Sequence, residues 1–267
     1  MRSKVKTAVI LVVALAALGI FVHGQGLPTE SQLDENYHRL ARLSYKITTK
    51  GTVEADEKES RRIRDYFVST GDPGGRFLIQ KLQQIIAEEL DFLKGRQGDT
   101  TAIVAYAEHL RERGKTPLLK YDVCWILADA FPKLSADLQQ ATLKAIVSSY
   151  TPSTYFREDI GGLNHALIRT GPQAVPYLLE LASHRNELAR CSVSDVLNSL
   201  GQELIASGKA RAENRDPPHL DCHASPEQRQ SALRDWGRWW QDCGKQLTFP
   251  VIPSFFDLDG SGEERPR

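Results

Sequence analysis

From Gly26 onward, apolar residues recur at helical intervals nearly everywhere, and the period-two alternation of strands is nearly absent. A first helix carries Leu33, Tyr37, Leu40, Ala41 and Ile47 on one face. Thr29-Glu-Ser-Gln32 reads as its capping box, in which a hydroxyl and an amide side chain accept from the unpaired backbone N–H groups of the helix start. Gly51 interrupts. A charged helix from about Glu54 to Ser69 follows, with Ile63, Tyr66 and Phe67 as its expected buried residues. Gly71-Asp-Pro-Gly-Gly75 reads as a cluster of breakers. Leu78, Leu82, Ile85, Ile86 and Leu93 mark the next helix, which ends before a break from Gly95 to Asp99. Further helices are expected over 101–113, 117–131 and 135–149. In the second of these, Leu119, Val123, Ile126, Leu127 and Ala130 lie on one face.

A short internal similarity follows. His165-Ala-Leu-Ile-Arg-Thr-Gly171 and Asp195-Val-Leu-Asn-Ser-Leu-Gly201 share a Leu and a terminal Gly at an offset of 30 residues. Between them lies Gly171-Pro-Gln-Ala-Val-Pro-Tyr-Leu-Leu-Glu-Leu-Ala182. Gly171 is expected to end one helix as a left-handed cap, and Pro172 and Pro176 suit a turn and a first helical turn. A polar turn from Ser183 to Asn186 leads to a helix opening Glu187-Leu-Ala-Arg190 and closing Leu200-Gly201. Over Leu163 to Gln202 the sequence resembles the bacterial HEAT-like repeat family. That resemblance implies an all-α fold, a right-handed superhelical solenoid of antiparallel helix pairs in which each pair completes its core against the next. The upstream helices lack the Gly-Pro and Leu-Gly signatures. HEAT-like proteins that act as chromophore lyases or DNA glycosylases have no matching chemistry here.

Asn214 to Ser225 is a polar linker. Ser225-Pro-Glu-Gln228 then repeats the capping-box pattern, and the helix it opens places Ala232, Trp236, Trp239, Trp240 and Cys243 on one face before Gly244. This segment resembles, more loosely, the closing helix of exported bacterial HEAT-like proteins. The tryptophans are expected to seal the end of the helical stack. Three regions result: residues 1–24, a helical domain over 28–247, and a tail over 248–267 expected to be flexible.

The N-terminus sets the compartment. Arg2, Lys4 and Lys6 precede an apolar run of 15 residues from Ala8 to Val22, which is short for a membrane span and has the form of a secretory signal peptide cleaved near Gly24. The expected location is the periplasm or the extracellular space; the alternative is a retained inner-membrane anchor. Lys+Arg and Asp+Glu are both 34, and removal of residues 1–24 leaves the chain slightly acidic. A phosphate-backbone partner is therefore disfavoured, and no nucleic acid is expected.

Export permits disulfides among Cys124, Cys191, Cys222 and Cys243. Four cysteines allow three complete pairings, which the sequence does not choose among. The expected link is Cys222–Cys243, tying a loop to a helix and contributing about 3 kcal/mol by loop closure. Without export, four free thiols acting as small hydrophobes are expected.

Two further segments carry ligand-type residues. His219-Leu-Asp-Cys-His223 offers His219, Cys222 and His223 as metal ligands, although its spacing matches no standard zinc site. Asp257-Leu-Asp-Gly-Ser-Gly262 imitates the start of a calcium loop, but the twelfth position would fall beyond the chain end. No nucleophile, phosphate-loop or dinucleotide motif occurs. The expected function is an exported, non-enzymatic binding or scaffold protein with a protein partner and no cofactor. It would contact the membrane only if its N-terminal segment is retained. The alternatives are a metal-dependent exported enzyme using the His219–His223 loop, and a membrane-anchored structural envelope protein.

Overall fold

Thr29 and Ser225 open helices as the capping-box pattern requires. Thr29 Oγ1 accepts from Gln32 N at 3.3 Å, and Gln32 Oε1 accepts from Thr29 N at 2.9 Å. Ser225 and Gln228 repeat this at 3.2 and 3.0 Å. The structure, a computed structural model, describes residues 27–51, 53–96, 99–156, 160–184, 187–206 and 216–242. The signal-like residues 1–24, Cys243, the calcium-loop imitation and the tail lie outside them.

Among the described residues the fold is all-helical, with eleven α-helices and no strand. They are α1 (Glu30–Lys50), α2 (Glu54–Thr70), α3 (Asp72–Phe92), α4 (Thr100–Glu112), α5 (Leu119–Ala130), α6 (Ala136–Ser148), α7 (Pro152–Phe156), α8 (Ile160–Arg169), α9 (Val175–Leu181), α10 (Glu187–Ala206) and α11 (Pro226–Asp242). Short 3₁₀ turns occupy Phe131–Lys133 and Pro172–Ala174.

α5 is the centre of the packing. It touches α1, α2, α3, α6 and α8. The sequence marks one apolar face, yet Lys120, Tyr121, Cys124, Trp125 and Ala128 are buried as well. A helix covered on all sides is a core helix, not the amphipathic member of an outer layer. Burial pushes the Cys124 thiol up to about 12, so it remains an inert thiol beside Ser149 Oγ.

Glycine explains two departures from the expected boundaries. Only Gly71, at φ 59°, breaks the chain in the 71–75 cluster; Gly74 and Gly75 lie inside the first turn of α3. A Cβ on Gly75 would stand 2.6 Å from Leu134 Cδ2, so glycine here permits close helix approach. Likewise Gly201 does not end a helix, because α10 runs on to Ala206. Its missing side chain admits Pro217, whose Cγ would lie 2.7 Å from a Cβ at that position. Gly171, by contrast, does end α8 at φ 90°. Its ψ of −160° takes it out of the left-handed helical region, into one that essentially only glycine occupies.

α4 stands apart. Leu93, Ala102, Ile103, Tyr106 and Leu110 form a separate small core under it, and α4 packs on α7. At the other end, Trp236, Trp239 and Trp240 are buried, with Trp236 and Trp239 edge-on at 5.0 Å. They seal α11 against the bundle, as their spacing predicts.

Asp122, in the first turn of α5, is enclosed by packed atoms although part of its surface meets solvent. This burial raises its pKa from 3.8 to about 6, opposed by the hydrogen bond with Ser44. Ser44 Oγ also lies 3.0 Å from Leu40 O, which can take the only hydroxyl proton. The folded state thus binds the Asp122 proton more tightly than the unfolded state does. Stability falls as pH rises from about 4 through about 6, and above that the full penalty of about 2–3 kcal/mol applies. Asp122→Asn is expected to exceed wild type by about 2 kcal/mol at neutral pH, with the gap closing near pH 4 in urea unfolding. A gap independent of pH would contradict this account.

Candidate functional site

A groove lies between the C-terminal half of α1 and α4, with a volume of about 690 Å³. That size is within the range of ligand sites. Ile103, Val104 and Ala107 make its α4 wall, and Val104 is 40% exposed. Tyr45, Thr48 and Thr49 make the α1 wall. Thr48 Oγ1 and Thr116 Oγ1 meet at 3.2 Å across the end of the groove. Glu108 and Arg111 are exposed on the rim. Lys115 is engaged by Glu88 Oε2 at 3.1 Å, while Arg111 forms no ion pair among the described residues.

Ser153 forms part of the floor and leads to a buried charge cluster. Lys120 Nζ lies 3.0 Å from Glu89 Oε2, 2.6 Å from Thr151 Oγ1, 3.2 Å from Ser153 Oγ and 2.9 Å from Thr154 Oγ1. Both Lys120 and Glu89 are 1% exposed. Glu89 Oε1 also accepts from Ser153 N at 2.8 Å, and the Thr154 hydroxyl donates to Ser149 O. Burial draws the Lys120 pKa down, and the Glu89 carboxylate opposes it. Three ammonium protons face four oxygens, so this lysine is saturated. The cluster is a structural clamp, not a poised base.

The sequence-derived metal candidates separate in space. The loop over 216–225 crosses α10, with a turn at Cys222–His223 and a bend at Ala224; His219, Asp221 and His223 are exposed, whereas Leu220 and Cys222 are buried. His219 is not in the group formed by Cys222 and His223. Cys222 is not linked to Cys243 but forms a disulfide with Cys191, at a Cα–Cα distance of 4.9 Å. Cys191 faces this loop because α10 underlies it, a proximity that the 31-residue separation conceals. Cys191 Sγ, Cys222 Sγ and a ring nitrogen of His223 lie within 4.8 Å of one another. His165 and His184 are not among them.

Several contacts besides the disulfide hold this loop. Asn198 pairs with Leu220 like a backbone strand: its Nδ2 donates to Leu220 O and its Oδ1 accepts from Leu220 N, each at 2.9 Å. Arg190 Nε donates to Cys222 O at 3.3 Å. Pro217 fills the space left by Gly201.

No family model matches this chain, and no curated protein and no solved structure matches it either.

Removing one partner of the clamp leaves a buried charge uncompensated. Glu89→Leu or Lys120→Met alone is expected to destabilise the protein by about 3–5 kcal/mol. The double variant Lys120→Met/Glu89→Leu should recover most of that loss, and a double-mutant cycle in urea would measure the coupling. Purely additive losses would refute the clamp.

Proposed function

We propose that the chain is an exported, non-enzymatic binding module that holds an extended segment of a protein partner in the groove between α1 and α4. The observation that carries this reading is the groove's make-up. It has an apolar wall at Ile103, Val104 and Ala107, hydroxyls opposite, and Arg111 on its rim without an ion-pair partner among the described residues. Such a surface suits an apolar side chain lodged between the helices, with a neighbouring carboxylate on Arg111. The acid and base beneath it are consumed by each other, which supports binding over catalysis.

Within this reading, the run from α8 to α10 is one HEAT-like unit. It is supported by the glycine-only turn at Gly171 and by the packing of α8 and α9 on α10. The Cys191–Cys222 disulfide suits an oxidising compartment, in keeping with a cleaved leader over residues 1–24. No helix among the described residues is long and apolar enough to cross a membrane. The balance of charge favours a protein over a nucleic acid.

A photo-crosslinking amino acid at position 104 tests the reading. It is expected to capture one discrete envelope protein, whereas the same group at the exposed Asp137 captures none. Unlabelled wild type should compete the product away, and Arg111→Glu protein should compete about tenfold less well. Capture at both positions alike, or equal competition by Arg111→Glu, would overturn the proposal.

A further inference from the structure

The groove leaves unused a second group of side chains, where the 216–225 loop crosses α10. Glu187 and Cys191 stand one turn apart at the start of α10 and so share a face. His223 sits over both. Its Nδ1 lies 3.1 Å from Glu187 Oε1, and its Nε2 lies 3.9 Å from Cys191 Sγ. A carboxylate on Nδ1 fixes the imidazole proton there and leaves the Nε2 lone pair directed at the sulfurs. This is the outer-shell arrangement that orients histidine ligands of metals.

We propose that reduction of the Cys191–Cys222 disulfide converts this staple into a binding site for a thiophilic divalent cation of the zinc class. The ligands are Cys191 Sγ, Cys222 Sγ and His223 Nε2, and Glu187 orients the histidine. A dithiol reductant supplies two electrons and two protons. It is oxidised to its own disulfide as the Cys191–Cys222 bond breaks and two thiols form. The cation then displaces both thiol protons and binds two thiolates and a neutral imidazole, with its fourth position open to solvent.

The geometry requires little movement. Zinc–sulfur bonds of about 2.3 Å in a tetrahedral site place the two sulfurs about 3.8 Å apart. Side-chain rotation from a Cα–Cα distance of 4.9 Å reaches that separation without moving the backbone. The loop also keeps its place when the sulfur bond opens. The Asn198–Leu220 pairing, the Arg190 bond to Cys222 O, buried Leu220 and the Pro217–Gly201 contact all remain. Two cysteines and a histidine on a clamped loop suit a soft or borderline cation rather than a hard one.

Cobalt(II) and zinc(II) titrations of the full chain test this, before and after reduction and removal of the reductant under anaerobic conditions. The reduced chain is expected to bind one equivalent of cobalt, with thiolate-to-metal charge-transfer absorption and the visible bands of a tetrahedral site. The oxidised chain should show neither. Cys191→Ser should abolish the charge-transfer signal, whereas Cys124→Ser and Cys243→Ser should retain it. His223→Ala, which keeps the disulfide and hence the folded oxidised state, should weaken zinc binding in the reduced form at least about tenfold; Glu187→Gln should weaken it by about tenfold. The proposal fails if the reduced chain shows no such absorption, if the signal survives Cys191→Ser, if His223→Ala binds as wild type does, or if reduction alone abolishes the helical circular dichroism. None of these outcomes bears on crosslinking at position 104, so the two proposals stand or fall separately.

Discussion

Lys120 carries its ammonium into the centre of a helical protein, and the surrounding chain is arranged to receive it. Glu89 comes from α3, Lys120 from α5, and Thr151, Ser153 and Thr154 from the turn that opens α7. Glu89 also accepts from the backbone of Ser153, so the same carboxylate orders the turn and neutralises the lysine. A buried charge without these partners would be strongly unfavourable, and that penalty makes the three segments interdependent. The clamp fixes the turn at Ser153, and with it the floor of the groove. Apolar packing holds α5 against its other neighbours but does not specify this junction.

The amphipathic helices and their starts were legible because each is written locally. Thr29 with Gln32, and Ser225 with Gln228, are three residues apart, and the tryptophan face of α11 repeats at helical spacing. The role of Lys120 was not legible. A lysine in a largely apolar helix reads as one of its solvent-facing residues, and nothing near it in sequence announces Glu89, 31 positions away. The same limit hid the true partner of Cys222. Glycine was ambiguous for another reason: Gly71 and Gly171 serve backbone angles, whereas Gly75 and Gly201 serve close approach, and composition does not separate the two. Cys222 and His223 are neighbours in sequence and lie together, whereas Cys191 reaches them only through the fold and His219 is not in the group.

The C-terminal part is organised around α10. One side of this helix receives α8 and α9; another receives the loop through Asn198, Arg190 and Cys191. Pro217 settles over Gly201 beside Trp236, which joins the loop to the tryptophan seal. The disulfide therefore reinforces a contact already specified by hydrogen bonding and shape.

The separate core beneath α4 has a thermodynamic consequence. Five buried residues hold this helix, and none belongs to the main cluster. A unit held by so small a core is expected to open at a lower free energy than global unfolding, with amide hydrogens of α4 exchanging through a local excursion that leaves α5 protected. One wall of the groove thus belongs to the less stable unit of the molecule. Any occupant bridging α1 and α4 would lend that unit its own binding energy, raising the protection of α4 selectively.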